Sequence, residues 1–142
     1  MTDFRSRLGP WSAEPDFQTW TYQGLVCVAN RNLHFGCWCG YVQVPPDHPL
    51  LGQVDRLEEL AVHGGVTHVG GGSHFHDQTQ VDPRRCWVGW DCAHAGDSIP
   101  SLGHWNHEDH YWTLHEVIAE TNHLAQQLAE WRSLPTCGEI PC

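Results

Sequence analysis

Only one stretch of this 142-residue chain carries a sustained helical period, and that fact bounds the fold class. Leu114, Val117, Ile118, Thr121, Leu124, Ala125, Leu128 and Trp131 recur at the 3,4 spacing that gives a helix one apolar face. Thr113-Leu114-His115-Glu116 matches a capping box, and Pro135 forbids continuation, so the spacing predicts a helix over 113–133 followed by a tail at 135–142. Such a helix is about 30 Å long, enough to cross a small sheet. With no second helical stripe to receive it, its apolar face must be buried against strands.

The strands are read from alternation and turn residues. Leu25–Asn30 and Cys37–Val44 are rich in β-branched and aromatic residues, joined by a turn over 30–36 and stopped by Pro45-Pro46-Asp47-His48-Pro49. A short strand over Glu59–His63, the Gly64-Gly65 pair and a return over Val66–Val69 read as a tight hairpin, with one helical turn before it. Cys86–Asp91 reads as a buried strand with Val88, Trp90 and Cys92 on one face and Trp87, Gly89 and Asp91 on the other. Residues 1–23 form an irregular arm whose aromatics cover part of the core, with Thr19–Tyr22 as an edge strand. The glycine run at 70–72 opens a long mobile loop over 70–85, in which His74 and His76 read as solvated residues and a lid is the minor alternative. The expectation is one α+β domain over 1–142. It holds an antiparallel sheet of about five or six strands with the long C-terminal helix on one face. The arm, loops or a second subunit cover the other face.

Chemistry concentrates in two loops. Asp91, His94 and Asp97 follow one another at three-residue intervals at the exit of the Cys86 strand, separated by small residues that leave the carboxylates and imidazole open. The second motif is His63-Gly64-Gly65-Val66-Thr67-His68. If the two loops meet, His63, His94, Asp97 and Asp91 form a catalytic group, and His63, His94 and Asp97 are ligands for a divalent metal, zinc or manganese. Gly64, Gly65 and Thr67 would bind a cofactor or ligand through bare backbone amides. Taken alone, Asp91 and Asp97 could equally cap turns while His94 makes a structural hydrogen bond. His104, His107 and His110 are also three apart, but Gly103, Asn106 and Asp109 argue for a loop there.

Charge and cysteine usage narrow the partners. Seven basic residues, all Arg, stand against seventeen acids, and the net charge of −10 opposes general attraction to nucleic-acid backbones. No stretch is long and apolar enough for a transmembrane helix, and Met1–Pro10 lacks the apolar core of a signal peptide. Seven cysteines, an odd number, then fit a reduced, cytoplasmic setting. Eight tryptophans make a homodimer the expected assembly.

Three motifs together resemble a known family. Cys39-Gly40-Tyr41-Val42 with Val44-Pro45 and His48-Pro49, then Val62-His63-Gly64-Gly65-Val66-Thr67, then Trp87-Val88-Gly89-Trp90-Asp91-Cys92-Ala93-His94-Ala95-Gly96-Asp97, are similar to motifs in small proteins of phages and prophages, including phages of actinobacteria. The resemblance spans about residues 36–130, and the third motif is its most specific part. Departures are Trp90, where Phe is more usual, and the loop at 70–80. The resemblance implies a phage-encoded protein acting in the host cytoplasm, without implying a reaction.

Three functions compete on this reading. The first is a small metal-dependent or acid/base hydrolase centred on His63, His94, Asp97 and Asp91, in which bound water is the nucleophile. The second is a binding protein that sequesters a host nucleotide signal or blocks a host protein. The third is structural, with Cys37, Cys39, Cys86 and Cys92 around zinc, although Cys37-x-Cys39 has the wrong spacing for a usual knuckle and would set both thiols on one strand face.

Overall fold

The computed structural model describes residues 4–6, 8–102 and 109–133. Five strands, β1 (Phe17–Tyr22), β2 (Leu25–Arg31), β3 (Trp38–Val44), β4 (His68–Gly70) and β5 (Cys86–Asp91), form one antiparallel sheet of order β1-β2-β3-β5-β4. Among the described residues the one α-helix, α1 (Leu114–Ser133), lies on one face. The chain is therefore α+β, as its periodicities predict.

Alternation along the strands assigns the two faces. Cys27, Ala29, Val42, Val44, Val88 and Trp90 point to α1 and join Val117, Leu124, Ala125 and Leu128 in the main core. Gly40 lets the helix come close, because a Cβ there would lie 2.3 Å from both Thr121 Oγ1 and Trp90 Nε1. Those two atoms hydrogen-bond at 3.0 Å, so the one buried hydroxyl on the helix stripe has a donor aimed at it. The outer face carries Val28, Tyr41 and Trp87. The 71–85 loop covers it by inserting Phe75, which is 3% exposed and packs edge-on to Trp87 and Tyr41.

Several sequence expectations need correction. Glu59–His63 is not a strand: a 3-10 turn spans Val54–Glu59, and no ladder forms across Gly64-Gly65. The arm over 1–23 is more ordered than expected, with 3-10 turns at Phe4–Ser6 and Pro10–Ala13 and a strand that begins at Phe17 rather than Thr19. Its aromatics Phe4 and Trp11 do enter the core. His74 and His76 are not free in solvent, since His74 Nε2 bonds the Tyr41 hydroxyl at 2.8 Å and His76 N donates to Asn30 Oδ1 at 3.0 Å. Cys37 belongs to the helix-side core whereas Cys39 faces outward, so the two thiols do not share a face. The expected tail over 135–142 lies outside the described residues.

The N-terminal arm, sheet and helix are tied through one buried cation. Arg31, with no exposed side-chain surface, bonds Glu14 and Asp16 at 3.1 Å and stacks on Trp38 at 4.2 Å. Glu14 Oε2 in turn accepts from Leu114 N at 2.7 Å, at the first residue of α1. A carboxylate there suits the positive end of the helix.

Candidate functional site

Two loops meet because β5 is flanked by β4 on one side and covered by α1. The Gly64-Gly65 turn exists, closed by Gly65 N to Val62 O at 2.8 Å, with φ of +69° and +81° at the two glycines. Its return arm runs back along β5, with Thr67 N donating to Gly89 O at 2.9 Å and His68 pairing with Gly89. Its leading arm turns to the helix instead. Gln127 bonds both backbone groups of Ala61 at 2.8 Å, and His63 N donates to Glu120 Oε2 at 2.8 Å. His63 is thereby pinned between α1 and the point where β5 runs out into the 92–97 loop.

There it meets Asp97. His63 Nε2 lies 2.7 Å from Asp97 Oδ2, the same oxygen accepts from His94 N at 2.9 Å, and Oδ1 accepts from Trp112 Nε1 at 3.2 Å. Two unambiguous N–H donors, His94 N and Trp112 Nε1, are aimed at a side chain only 3% exposed, which sets Asp97 as an acceptor and favours the His63 tautomer with its proton on Nε2. The Nδ1 of His63 makes no bond among the described residues, and its ring, 25% exposed, rests on Trp112 at 4.5 Å between centroids and edge-on to Trp90 at 6.1 Å. The result is an oriented imidazole with one basic nitrogen uncommitted.

His94 and Asp91 stand beside this pair. The His94 ring centroid is 5.5 Å from that of His63, and its Nε2 approaches Asp91 Oδ1 to 3.1 Å. The two atoms are close but misaligned, so His94 Nε2 is shielded from solvent without a true hydrogen-bond partner. Asp91 is held by Thr67 Oγ1 at 2.9 Å and Ala93 N at 3.1 Å. All four residues expected to be catalytic, His63, His94, Asp97 and Asp91, are thus brought together, with Thr67 bonded to Asp91 at the edge of the group.

Two of the three expected ligand-binding amides, those of Gly65 and Thr67, are already hydrogen-bonded. A Cβ on Gly64 would lie 2.1 Å from His94 Nε2, so that imidazole packs against one side of the turn, and Gly65 N is spent on Val62 O. Thr67 uses its amide on Gly89 and its hydroxyl on Asp91. Among the described residues no three His, Cys, Asp or Glu side chains are arranged to hold a metal ion, and Asp97 spends both oxygens on N–H donors.

The remaining histidines divide by place. His110 joins the rim: Ser98 N donates to its carbonyl at 2.8 Å, and its Nε2 lies 2.6 Å from Glu116 Oε2. His68 and His74 cluster with Tyr41 on the outer face, where His74's basicity is lowered by burial and then by the neighbouring His68 and His76. The loop bearing His74 lies on that face and does not close over His63. His104 and His107 lie outside the described residues. Burial pushes the thiols of Cys37 and Cys39 up, to about 11 and about 12, and raises Cys92 further, which makes them poor nucleophiles at neutral pH.

Sequence reasoning missed two members of the site, Trp112 and Glu120. Trp112 had a signal: it precedes the cap residue Thr113, where an apolar side chain commonly packs back on the first helical turn. Glu120 had none, since its partner is a backbone amide far along the chain.

Comparison with protein-family models, curated proteins and solved structures finds no match to this chain.

Proposed function

We propose that the chain is a small hydrolase in which His63 is the general base and water the nucleophile. Supporting this reading above all is the 2.7 Å bond from His63 to a buried Asp97 that two further donors hold in place. In the reaction His63 Nδ1 takes a proton from water as its oxygen attacks an acyl carbon or phosphorus centre. The same Nδ1–H then returns that proton to the leaving group. Asp97 accepts from Nε2–H throughout and steadies the imidazolium that forms between the two steps. Asp91 and His94 position the exit loop around this pair. Proton transfer is assigned to His63, because its Nε2 is paired with an Asp97 carboxylate that also accepts from His94 N and Trp112 Nε1. A phage-encoded protein acting in the host cytoplasm belongs to the same proposal and rests on the three sequence motifs. A homodimer belongs to the proposal as well and rests on the outer edge of β1, which no strand pairs among the described residues.

The test is a panel of activated esters and phosphoesters assayed with the wild-type chain, His63→Ala and Asp97→Asn, each checked for intact fold by circular dichroism. The expected result is turnover of at least one class, reduced about 10²–10⁴-fold in His63→Ala. Turnover that His63→Ala leaves unchanged would overturn the proposal. So would stable nucleotide binding without turnover, which would make this a capturing protein.

A further inference from the structure

The sheet divides at the end remote from His63. The β2–β3 ladder runs from Arg31↔Trp38 to Cys27↔Val42 and stops there, although both strands continue. Beyond that point Leu25 and Val26 pair only with β1, and Gln43 and Val44 only with β5. Pro45 and Pro46 follow and have no N–H with which to resume the ladder. Between the two halves lies a cleft of about 230 Å³. Leu25, Val26, Val44 and the two prolines give it apolar walls, and Gln43 and Arg85 are its polar groups.

Neither polar group is hydrogen-bonded through its side chain among the described residues. Arg85, 56% exposed, has among them only a 3.5 Å ion pair with Asp82. Asp82 is already engaged by Arg84 at 3.1 Å and 3.4 Å. Two guanidinium groups share one carboxylate, so the rim carries a local positive excess in a chain of net charge −10.

We propose that this cleft binds a small monocarboxylate with an apolar body. The planar guanidinium of Arg85 matches a carboxylate with two parallel N–H bonds, which an ammonium or amide could not do as well. The Gln43 amide supplies a further donor, and the tail displaces water from Val26 and the two prolines, which keep exposed surface. At roughly 30 Å³ per water the cleft holds on the order of seven or eight molecules, so the ligand has about that many non-hydrogen atoms. The site is independent of the His63 reading, since it lies at the opposite end of β5.

The experiment is a titration of the full chain, followed by backbone amide NMR, with hexanoate and with hexan-1-ol as its uncharged counterpart. Hexanoate is expected to shift the Val26, Gln43 and Arg85 amides saturably, with hexanol at least tenfold weaker. Arg85→Gln should weaken hexanoate at least tenfold and leave hexanol unchanged. Equal binding of the two probes would overturn the proposal, as would hexanoate binding that survives Arg85→Gln. Absence of saturable shifts, or shifts centred on the His63 turn, would overturn it too.

Discussion

At the scale of single residues, two adjacent glycines make different demands and so give a controlled comparison. Gly64 and Gly65 both sit at positive φ, where a side chain costs about 1–2 kcal/mol. Gly65 faces open space, whereas a Cβ on Gly64 would strike the His94 ring. Gly65→Ala should therefore cost about 1 kcal/mol in urea unfolding. Gly64→Ala should cost about 2–3 kcal/mol and displace His94, visible as a changed imidazole resonance. Equal costs for the two would mean that His94 does not rest on the turn. Asp97 makes the same point about chemistry: its worth lies in three donors converging on one buried carboxylate, so Asp97→Asn, which replaces an acceptor by a donor, should disturb His63, His94 and Trp112 together.

At the scale of elements, the helix, the outer loop and the Gly64 turn are held by contacts of different range. The start of α1 is fixed locally by the capping box, with Glu116 N to Thr113 Oγ1 at 3.3 Å and Thr113 N to Glu116 Oε1 at 3.0 Å. It is also fixed from far along the chain by Glu14. Burial pushes the Glu14 carboxyl up, but hydrogen bonds from Leu114 N, Tyr111, Trp38 and Arg31 outweigh it, so its pKa in the folded chain falls below the ordinary 4.5. A depressed carboxyl stabilises the fold fully above its unfolded value and loses that contribution as pH falls through the folded one. Glu14→Gln should therefore cost roughly 3 kcal/mol at pH 7, and its difference from wild type should shrink in denaturation curves taken progressively below pH 4.5. A gap that does not narrow on acidification would contradict this role. The outer loop is predicted to act as a structural layer: Phe75→Ala should cost about 3–4 kcal/mol and speed hydrogen exchange in β3 and β5. A cost below about 1 kcal/mol would restore the reading of a mobile flap.

The helix was legible because its signals are local: a cap, a 3,4 stripe and a terminating proline lie within one stretch of chain. The face assignment of Val88, Trp90 and Cys92 was legible for the same reason. The hairpin over Glu59–Val69 was misread although its turn is real, because the leading arm's backbone partners are Gln127 and Glu120 on α1 and not a neighbouring strand. Nothing in the spacing of residues 59–63 announces side-chain amides and carboxylates more than fifty residues away. The 71–85 loop was misread because glycine and polar residues dominate it, while its attachment to the sheet comes from the isolated Phe75 and from His74 and His76, whose partners Tyr41 and Asn30 are far along the chain.

At the scale of the whole molecule, the helix and five-stranded sheet of the described residues leave at least two places among them where chemistry is not used up by packing. They lie at opposite ends of β5: the His63–Asp97 pair where the strand exits, and the Arg85 cleft where the sheet divides. Among the described residues no helix is long and apolar enough to cross a membrane. The account as a whole depends on the first of these ends, where a turn from the sheet edge and a strand-exit loop present one oriented imidazole. The most direct test is the long-range ¹H–¹⁵N spectrum of the imidazole rings at neutral pH, with His63 assigned by His63→Ala. The account predicts a single His63 tautomer, protonated at Nε2 and bare at Nδ1, which is lost in Asp97→Asn. A His63 that averages between both tautomers in the wild-type chain, or one that Asp97→Asn leaves unchanged, would contradict it.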